Sequence, residues 1–297
     1  MAVTMMREDV TNFTRFAEPS RPCAINELCR PDEDEVVEFL SARPVHTVFM
    51  MGLIRDNGLI SPMNRGSFYG SRGSGGQLEA VGLIGHAIMI EAHTENSLVG
   101  FARIARNCQN SHLIRGEQES INTFWTYFAD AGHDPRLISS EQLFQLDEAP
   151  AAVAEVEGLR TAGINDVEKV MAVNASMAFE EGGVNPFQRD PKGFRNRTLR
   201  RIEQNRVWVW VEDNRLIFKA DIVSQTPDVT YLEGVYVHPE ERRKGYGLQC
   251  LSKLSKLLLE NSKSICLTVN ERNQKAVAFY MKAGFKFHSH YETIYLR

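Results

Sequence analysis

The chain has 297 residues, 43% of them hydrophobic and 24% charged, with a net charge of −4. That length exceeds a typical single-core domain and suits two, and the composition excludes a disordered chain. The near-balanced charge gives no whole-chain case for nucleic acid or a membrane surface as partner. No run of about 18 apolar residues is present, so no membrane span is expected. The opening MAVTMMREDVTNF lacks the apolar stretch of a secretory signal. The five cysteines, Cys23, Cys29, Cys108, Cys250 and Cys266, are scattered, with no CxxC spacing. They are expected to be reduced thiols of a cytoplasmic protein without a metal site.

In chain order, residues 1–22 mix charge, Ser and Pro without periodicity and read as a tail. Residues 32–40 look like a helix start, with an acidic first turn ahead of Val36, Val37, Phe39 and Leu40, and Pro44 interrupts it. The apolar run 47–53 (TVFMMGL) fits a helix or a buried strand equally. The Gly-, Ser- and Arg-rich stretch 63–76 reads as a long hairpin loop rather than a phosphate-binding loop, because its glycines follow no mechanistic spacing. Residues 78–90 form a strand pair or one bent strand, with Gly82 and Gly85 at a turn or bulge. A helix is expected over 97–105, a short strand at 112–114, and extended chain over 135–144. Between the last two lies a helix over 117–128, with Ile121, Phe124, Trp125 and Phe128 in one stripe. His46, His86, His93, His112 and His133 make no metal-ligand spacing and read as structural or exposed.

Residues 145–158 (QLDEAPAAVAEVEG) read as a linker, with a boundary near Glu155. Beyond it comes an extended start at 159–160, then a helix capped by Asn165 or Asp166 and stopped by Gly182-Gly183. A second helix opens at Asp190-Pro191 and carries Arg195, Arg197, Arg200 and Arg201 as a solvated face. Strands follow at 206–211, 215–223 and 229–237. A helix then places Leu248, Leu251, Leu254 and Leu258 at three- and four-residue steps. The chain closes with a strand at 264–269, a helix over 273–283, and two strands at 285–288 and 291–296.

The most informative stretch is 235–248, VYVHPEERRKGYGL. A β-branched strand runs through a Pro turn into a basic, glycine-punctuated loop and then a helix. That geometry presents main-chain N–H groups at a helix N-terminus, a ready place for a phosphate or pyrophosphate. Gly245 and Gly247 remove side chains that would hold an anion away. The loop is neither a GxxxxGK[ST] phosphate loop nor a GxGxxG dinucleotide fingerprint.

The loop resembles the acyl-CoA loop of the GNAT N-acetyltransferase superfamily, Arg/Gln-x-x-Gly-x-Gly/Ala, here Arg242-x-x-Gly245-x-Gly247. The preceding VYVHP and the downstream NQKAVAFYMKAGF at 273–285 add specificity, the latter looking like the family's next helix, where an Asn, an Ala and a Tyr precede a Gly-Phe strand start. The resemblance covers residues 158–297, and the layout is similar to a bacterial two-domain GNAT subfamily with an uncharacterised N-terminal domain. It implies the element order ααβββαβαββ after one leading strand. It also implies acetyl-CoA as acyl donor. The main chain from Arg243 to Leu248, through Lys244, Gly245, Tyr246 and Gly247, would hold the pyrophosphate, with Arg242, Arg243 and Lys244 adding charge. Pantetheine would lie along Val235, Tyr236 and Val237 like an added strand, where an N–H polarises the thioester carbonyl. Tyr280 matches the family's acid for the leaving thiolate. Asn273 matches an Asn near the pantetheine or phosphate arm, and an N-cap role explains it equally. Relatives place a Glu at the position of Tyr231. Here the carboxylate is Glu233, acting through water as base or else forming a structural ion pair. Two-residue periodicity puts Tyr231, Glu233, Val235 and Val237 on one face.

The expectation is an α/β (α+β) chain in three parts. Residues 1–22 are a tail. Residues 23–154 are an α/β domain compatible with a degenerate GNAT copy that lacks the loop. Residues 155–297 are an N-acetyltransferase domain with a mixed, mostly antiparallel sheet. It would move acetyl from acetyl-CoA directly to a primary amine, whether a protein N-terminus, a lysine or a small amine. No metal, nucleic acid or membrane is expected, and the oligomeric state is open. The rival reading is a non-catalytic acyl-CoA-binding sensor.

Overall fold

The computed structural model describes residues 23–129, 132, 134–150 and 156–297. The expected tail at 1–22, the boundary at 155 and His133 lie outside them. The first half runs β1 (Ile25–Glu27), α1 (Glu33–Ser41), α2 (Pro44–Asn57), β2 (Gly66–Arg72), β3 (Leu78–Gly85), β4 (Ala87–Ala92), α3 (Glu95–Ala105), β5 (Leu113–Glu117), α4 (Gln118–Ala129) and β6 (Pro135–Leu146). The second runs β7 (Leu159–Thr161), α5 (Val167–Gly182), a short α6 (Pro186–Arg189), α7 (Pro191–Glu203), β8 (Val207–Glu212), β9 (Arg215–Gln225), β10 (Val229–Val237), α8 (Tyr246–Leu258), β11 (Ser264–Asn270), α9 (Gln274–Lys282) and β12 (Lys286–Leu296). Apart from α6, the two halves follow the same succession of elements.

Local chemistry accounts for most boundaries. Glu33, Asp34 and Glu35 give α1 an acidic first turn. Pro44 does not interrupt a helix but opens α2, where its missing N–H is not needed, and the ambiguous run 47–53 is therefore helical. Gly183, at φ 67°, stops α5. Asp190 caps α7 by accepting from the Gly193 N–H at 2.8 Å. The glycine-rich stretch 63–76 is not one long loop: residues 66–72 form β2, paired along β3. Its glycine at position 70 is bare because a Cβ would come within 2.9 Å of both Leu28 and Leu78. The arginines of α7 do not form a free face. Arg195 pairs with Glu168, Arg197 with Asp190, Arg201 with Asp221, and Arg200 donates to Asn57 of the first half.

All twelve strands join one sheet in the order β1-β2-β3-β4-β5-β12-β6-β11-β10-β9-β8-β7. Neighbours are antiparallel except β4–β5 and β10–β11. The last strand of each half is lodged in the other half: β12 lies between β5 and β6, and β6 between β12 and β11. The two closing strands expected at 285–288 and 291–296 are one strand, β12, with an irregularity between Phe287 and Ser289. Helix α2 crosses over as well. Ser224 of β9 donates to the Val48 carbonyl at 2.5 Å, and Arg206 is bidentate on Asp56 at 2.5 and 2.7 Å. A core of Phe144, Phe218, Leu251, Ile265 and Phe285 fills one face of the second half, and Val48, Tyr231, Cys266 and Tyr291 join α2 to the central strands on the other. Among the described residues no helix is long and apolar enough to cross a membrane.

A chain cut to residues 156–297 would lose β6 from between β11 and β12 and expose Leu267 and Ile265. It is expected to show no cooperative thermal transition by circular dichroism, whereas the full chain shows one.

Candidate active site

Strands β10 and β11 pair only from Val229↔Ser264 to Tyr231↔Cys266. Beyond that β11 turns to β6 as far as Asn270, while β10 stays with β9 as far as Val237↔Phe218. The β11-facing edge of residues 232–237 is left open, a slot into which an extended chain could add as a strand. Midway along it β10 bulges. Glu233 faces Asp221 and Tyr236 faces Lys219, so Gly234 and Val235 together oppose one residue of β9, with Gly234 at φ 61°. An extra residue shifts the alternation of faces. Val235 and Val237 therefore pack with Leu232 on the α8 side, and the face they were expected to share with Tyr231 and Glu233 is not formed. Tyr236 takes that side instead.

The loop from 238 to 245 carries left-handed residues at Arg243 (φ 67°) and Gly245 (φ 93°). Gly245 sits at a true corner, with open space where a side chain would be and only Gln249 Nε2 at 3.7 Å. Gly247 is bare for another reason: a Cβ there would lie 2.8 Å from Val237 Cγ2 and 3.4 Å from Phe279, so its absence lets α8 close on β10 and α9. The first bond of the α8 ladder runs from the Gln249 N–H to the Gly245 carbonyl at 3.1 Å. The N–H groups of Tyr246, Gly247 and Leu248 precede the ladder, and no side chain caps them. Arg242 folds back to donate from Nε to the Val237 carbonyl at 3.0 Å, and Lys244 is paired with Glu241 at 2.9 Å. Arg243 is exposed and has no ion-pair partner among the described residues.

Tyr280 lies in the core beneath the slot, packed against Phe279 and Phe285, and burial raises its phenol above the usual range, with Tyr231 and Glu181 adding to the rise. It stays protonated and can donate. Asn273 caps α9 by accepting from the Ala276 N–H at 3.2 Å. Tyr231 is buried, with Phe49 of α2 at 4.3 Å and its hydroxyl shared between Thr268 Oγ1 at 2.8 Å and Arg115 Nη2 at 2.7 Å. Arg115 belongs to β5 of the first half. It also reaches Glu141 at 3.3 Å and lies over the Phe49 ring at 4.9 Å. Glu233 is exposed on the same side and has no ion-pair partner among the described residues.

Sequence reasoning missed Glu181. It stands on the last turn of α5 with its side chain exposed, facing the carboxylates of Glu233 and Glu141. Desolvation, then those two carboxylates, push its pKa up to about 7. A signal was present in the sequence: Glu180-Glu181 ahead of Gly182-Gly183 puts two acids at a helix C-terminus, where the dipole disfavours them.

A split parallel pair, a glycine corner, an unladdered helix start and a carboxylate that titrates near neutrality define an α/β site suited to an anionic, extended ligand and a proton-accepting step. Residues 174–285 match the model of the Acetyltransferase (GNAT) family, and that stretch belongs to it. Both halves are covered by similar solved structures. A Drosophila protein shares the fold over 93% of this chain and 99% of its own, at TM-score 0.67 and 13% identity. A GCN5-related N-acetyltransferase from Sphaerobacter thermophilus does so over 93% and 95%, at 0.60 and 14%. A tandem GNAT protein from the clavulanic acid biosynthesis pathway does so over 91% and 97%, at 0.56 and 14%. At such identities the likeness is one of fold. No curated protein matches the sequence. Among the described residues no group of three His, Cys, Asp or Glu could hold a metal ion.

Gly245→Ala is expected to cost about 1–2 kcal/mol, from its left-handed backbone alone. Gly247→Ala should also destabilise, by forcing α8 off Val237. Denaturant melts of the two variants check both.

Proposed function

We propose that residues 155–297 form an acetyl-CoA-dependent N-acetyltransferase acting on a primary amine, and that residues 23–154 are a copy of the same fold without a donor site. The reading is carried by the three main-chain N–H groups at the start of α8, without acceptors, behind the open corner of Gly245 and at the free edge of β10. Acetyl-CoA, when bound, supplies an activated acyl thioester. The pyrophosphate would meet the N–H groups of Tyr246, Gly247 and Leu248, with Arg243 free to add charge. Main-chain groups of Val235 to Val237 would hold the pantetheine arm. An N–H at the bulge would face the carbonyl oxygen, where negative charge develops as nitrogen attacks.

The first half differs where it matters. Its β4 ends at Ala92 and α3 starts at Glu95, so only two residues connect them, against the loop of 238–245. Thr94 caps α3 by accepting from the Ser97 N–H at 3.3 Å, and Glu95 adds negative charge. An anion has no place there.

In transfer a C–N bond forms and the C–S bond breaks. Glu181, poised near neutrality, takes the ammonium proton, and Glu233 beside it draws the cation in. Tyr280 gives its proton to the departing sulfur and is reprotonated by the second proton that the nitrogen sheds as the amide forms, while Glu181 releases the first to water. Thiol release with a panel of amines tests the reading, and binding without release would favour a sensor.

Below about 7 Glu181 is protonated and cannot accept, so kcat/KM should rise with pH through that value. Glu181→Gln is expected to remove this limb and lower kcat roughly 100-fold, while Tyr280→Phe lowers kcat about 10- to 100-fold with little change in KM for acetyl-CoA.

A further inference from the structure

Lys219 of β9 is fully buried. Its Nζ lies 2.8 Å from Asp221 Oδ1, but off the line of a good hydrogen bond, and neither atom completes one among the described residues. Asp221 is held from both covering helices, by Asn174 of α5 at 3.3 Å and by Arg201 of α7 at 3.5 Å. Register places Lys219 opposite Tyr236 and Asp221 opposite Glu233, one on each side of the β10 bulge. A Cβ on Gly234 would sit 2.8 Å from Nζ and 3.6 Å from Asp221 Oδ2. Gly234 is required by its left-handed φ, and the Lys219 ammonium lies directly against it.

Such a pair is an expensive way to fill a core. Two ions lose their water, and apolar side chains of similar volume often serve stability as well or better. Burial does pull the Lys219 pKa down, with Arg201 adding to the fall, while Asp221 and Glu233 oppose it. What the pair does that an apolar pair would not is place a charge, with donor capacity unused, against the peptide units of the Gly234–Val235 bulge.

We propose that Lys219 is a positioning residue for acyl transfer. With Asp221 it fixes the bulge at Gly234–Val235, so that a main-chain N–H meets the thioester oxygen, and its charge strengthens that dipole in a water-poor setting. This rests on the acetyl-CoA reading above and adds to it a residue that neither the loop motif nor the slot contains.

The test uses the full chain with Lys219→Met and Asp221→Asn combined, which removes both charges and keeps the volume. Acetyl-CoA labelled with carbon-13 at its carbonyl is the probe. Acetyl-CoA affinity is expected to stay within about threefold, while kcat falls at least about tenfold, the pattern of a lost transition-state interaction. The infrared band of the bound carbonyl should move back toward its position in free acetyl-CoA. An unchanged band and kcat would overturn the proposal. So would parallel loss of affinity and kcat, which would mark a purely structural pair. Should the double variant not fold, Asp221→Asn alone carries the same readouts. Wild-type protein that binds acetyl-CoA but releases no thiol sinks the transferase reading while the band still tests Lys219, and wild-type protein that binds none sinks both.

Discussion

Strands β6 and β12 lie side by side in antiparallel register, from Lys286↔Gln145 to Leu296↔Pro135, and the rest of the molecule is arranged around that pairing. Each is the final strand of its own half, yet each has its second neighbour in the other half. Strand β11 keeps β6 on one edge from Ile265 to Asn270 but leaves β10 after Tyr231↔Cys266. With β12 occupying the flank of β5, β5 leaves β4 after Ile88↔Ile114. The two splits in the sheet thus flank the exchanged pair symmetrically. A parallel pair that separates exposes main-chain groups along one edge, and those groups need partners. In the second half the candidate partner is a ligand.

The exchange also brings first-half residues into the second half's site. Arg115 sits under the Tyr231 hydroxyl, beside Glu141 and Thr268, with Phe49 against its plane. Removing such a largely buried cation would strand Glu141 and the Tyr231 phenol, a larger loss than the pair's net contribution. The same cation opposes the neighbouring carboxylates in setting the ionisation of Glu181. The proton affinity of the candidate base is therefore shared between halves, which a reading of residues 155–297 by themselves would miss.

The Asp190-capped start of α7, the Gly183 stop of α5 and the uncapped start of α8 were legible in the sequence, because each is written within one turn or one loop; Asp166, expected with Asn165 as the cap of α5, instead accepts from the Gly163 N–H and from Arg160. The stretch 63–76 misled because Gly66 and Gly70 answer to crowding by Ile84, Leu28 and Leu78, residues that sequence order does not place beside them, while only the later glycines serve the turn. The shared face of Tyr231, Glu233, Val235 and Val237 failed because one left-handed glycine at 234 resets a two-residue period, and nothing in the local pattern marks it. Strand exchange was invisible for the same reason that long-range pairing always is: periodicity tells which side of a strand is apolar, not whose strand lies next to it. Glu181 was legible in principle, as an acid at the wrong end of a helix.

On the proposed reading of the first half as a copy of the same fold, the exchange explains why that half can lack the loop and still be kept. If the halves were side by side, a loop-less copy would be dispensable weight. Here β6 fills the place between β11 and β12, α2 packs on β9 and β10, and Arg115 and Phe49 pack against Tyr231. The connection between Ala92 and Glu95 is short, and Thr94 caps the start of α3, so the first half offers no open helix start beside its split strands. Selection on such a chain would act on the first half through its packing and its wall residues, and on the second through its open main-chain donors. On that reading, the asymmetry between the halves is the physical outcome of placing an open helix start in one and its supporting wall in the other.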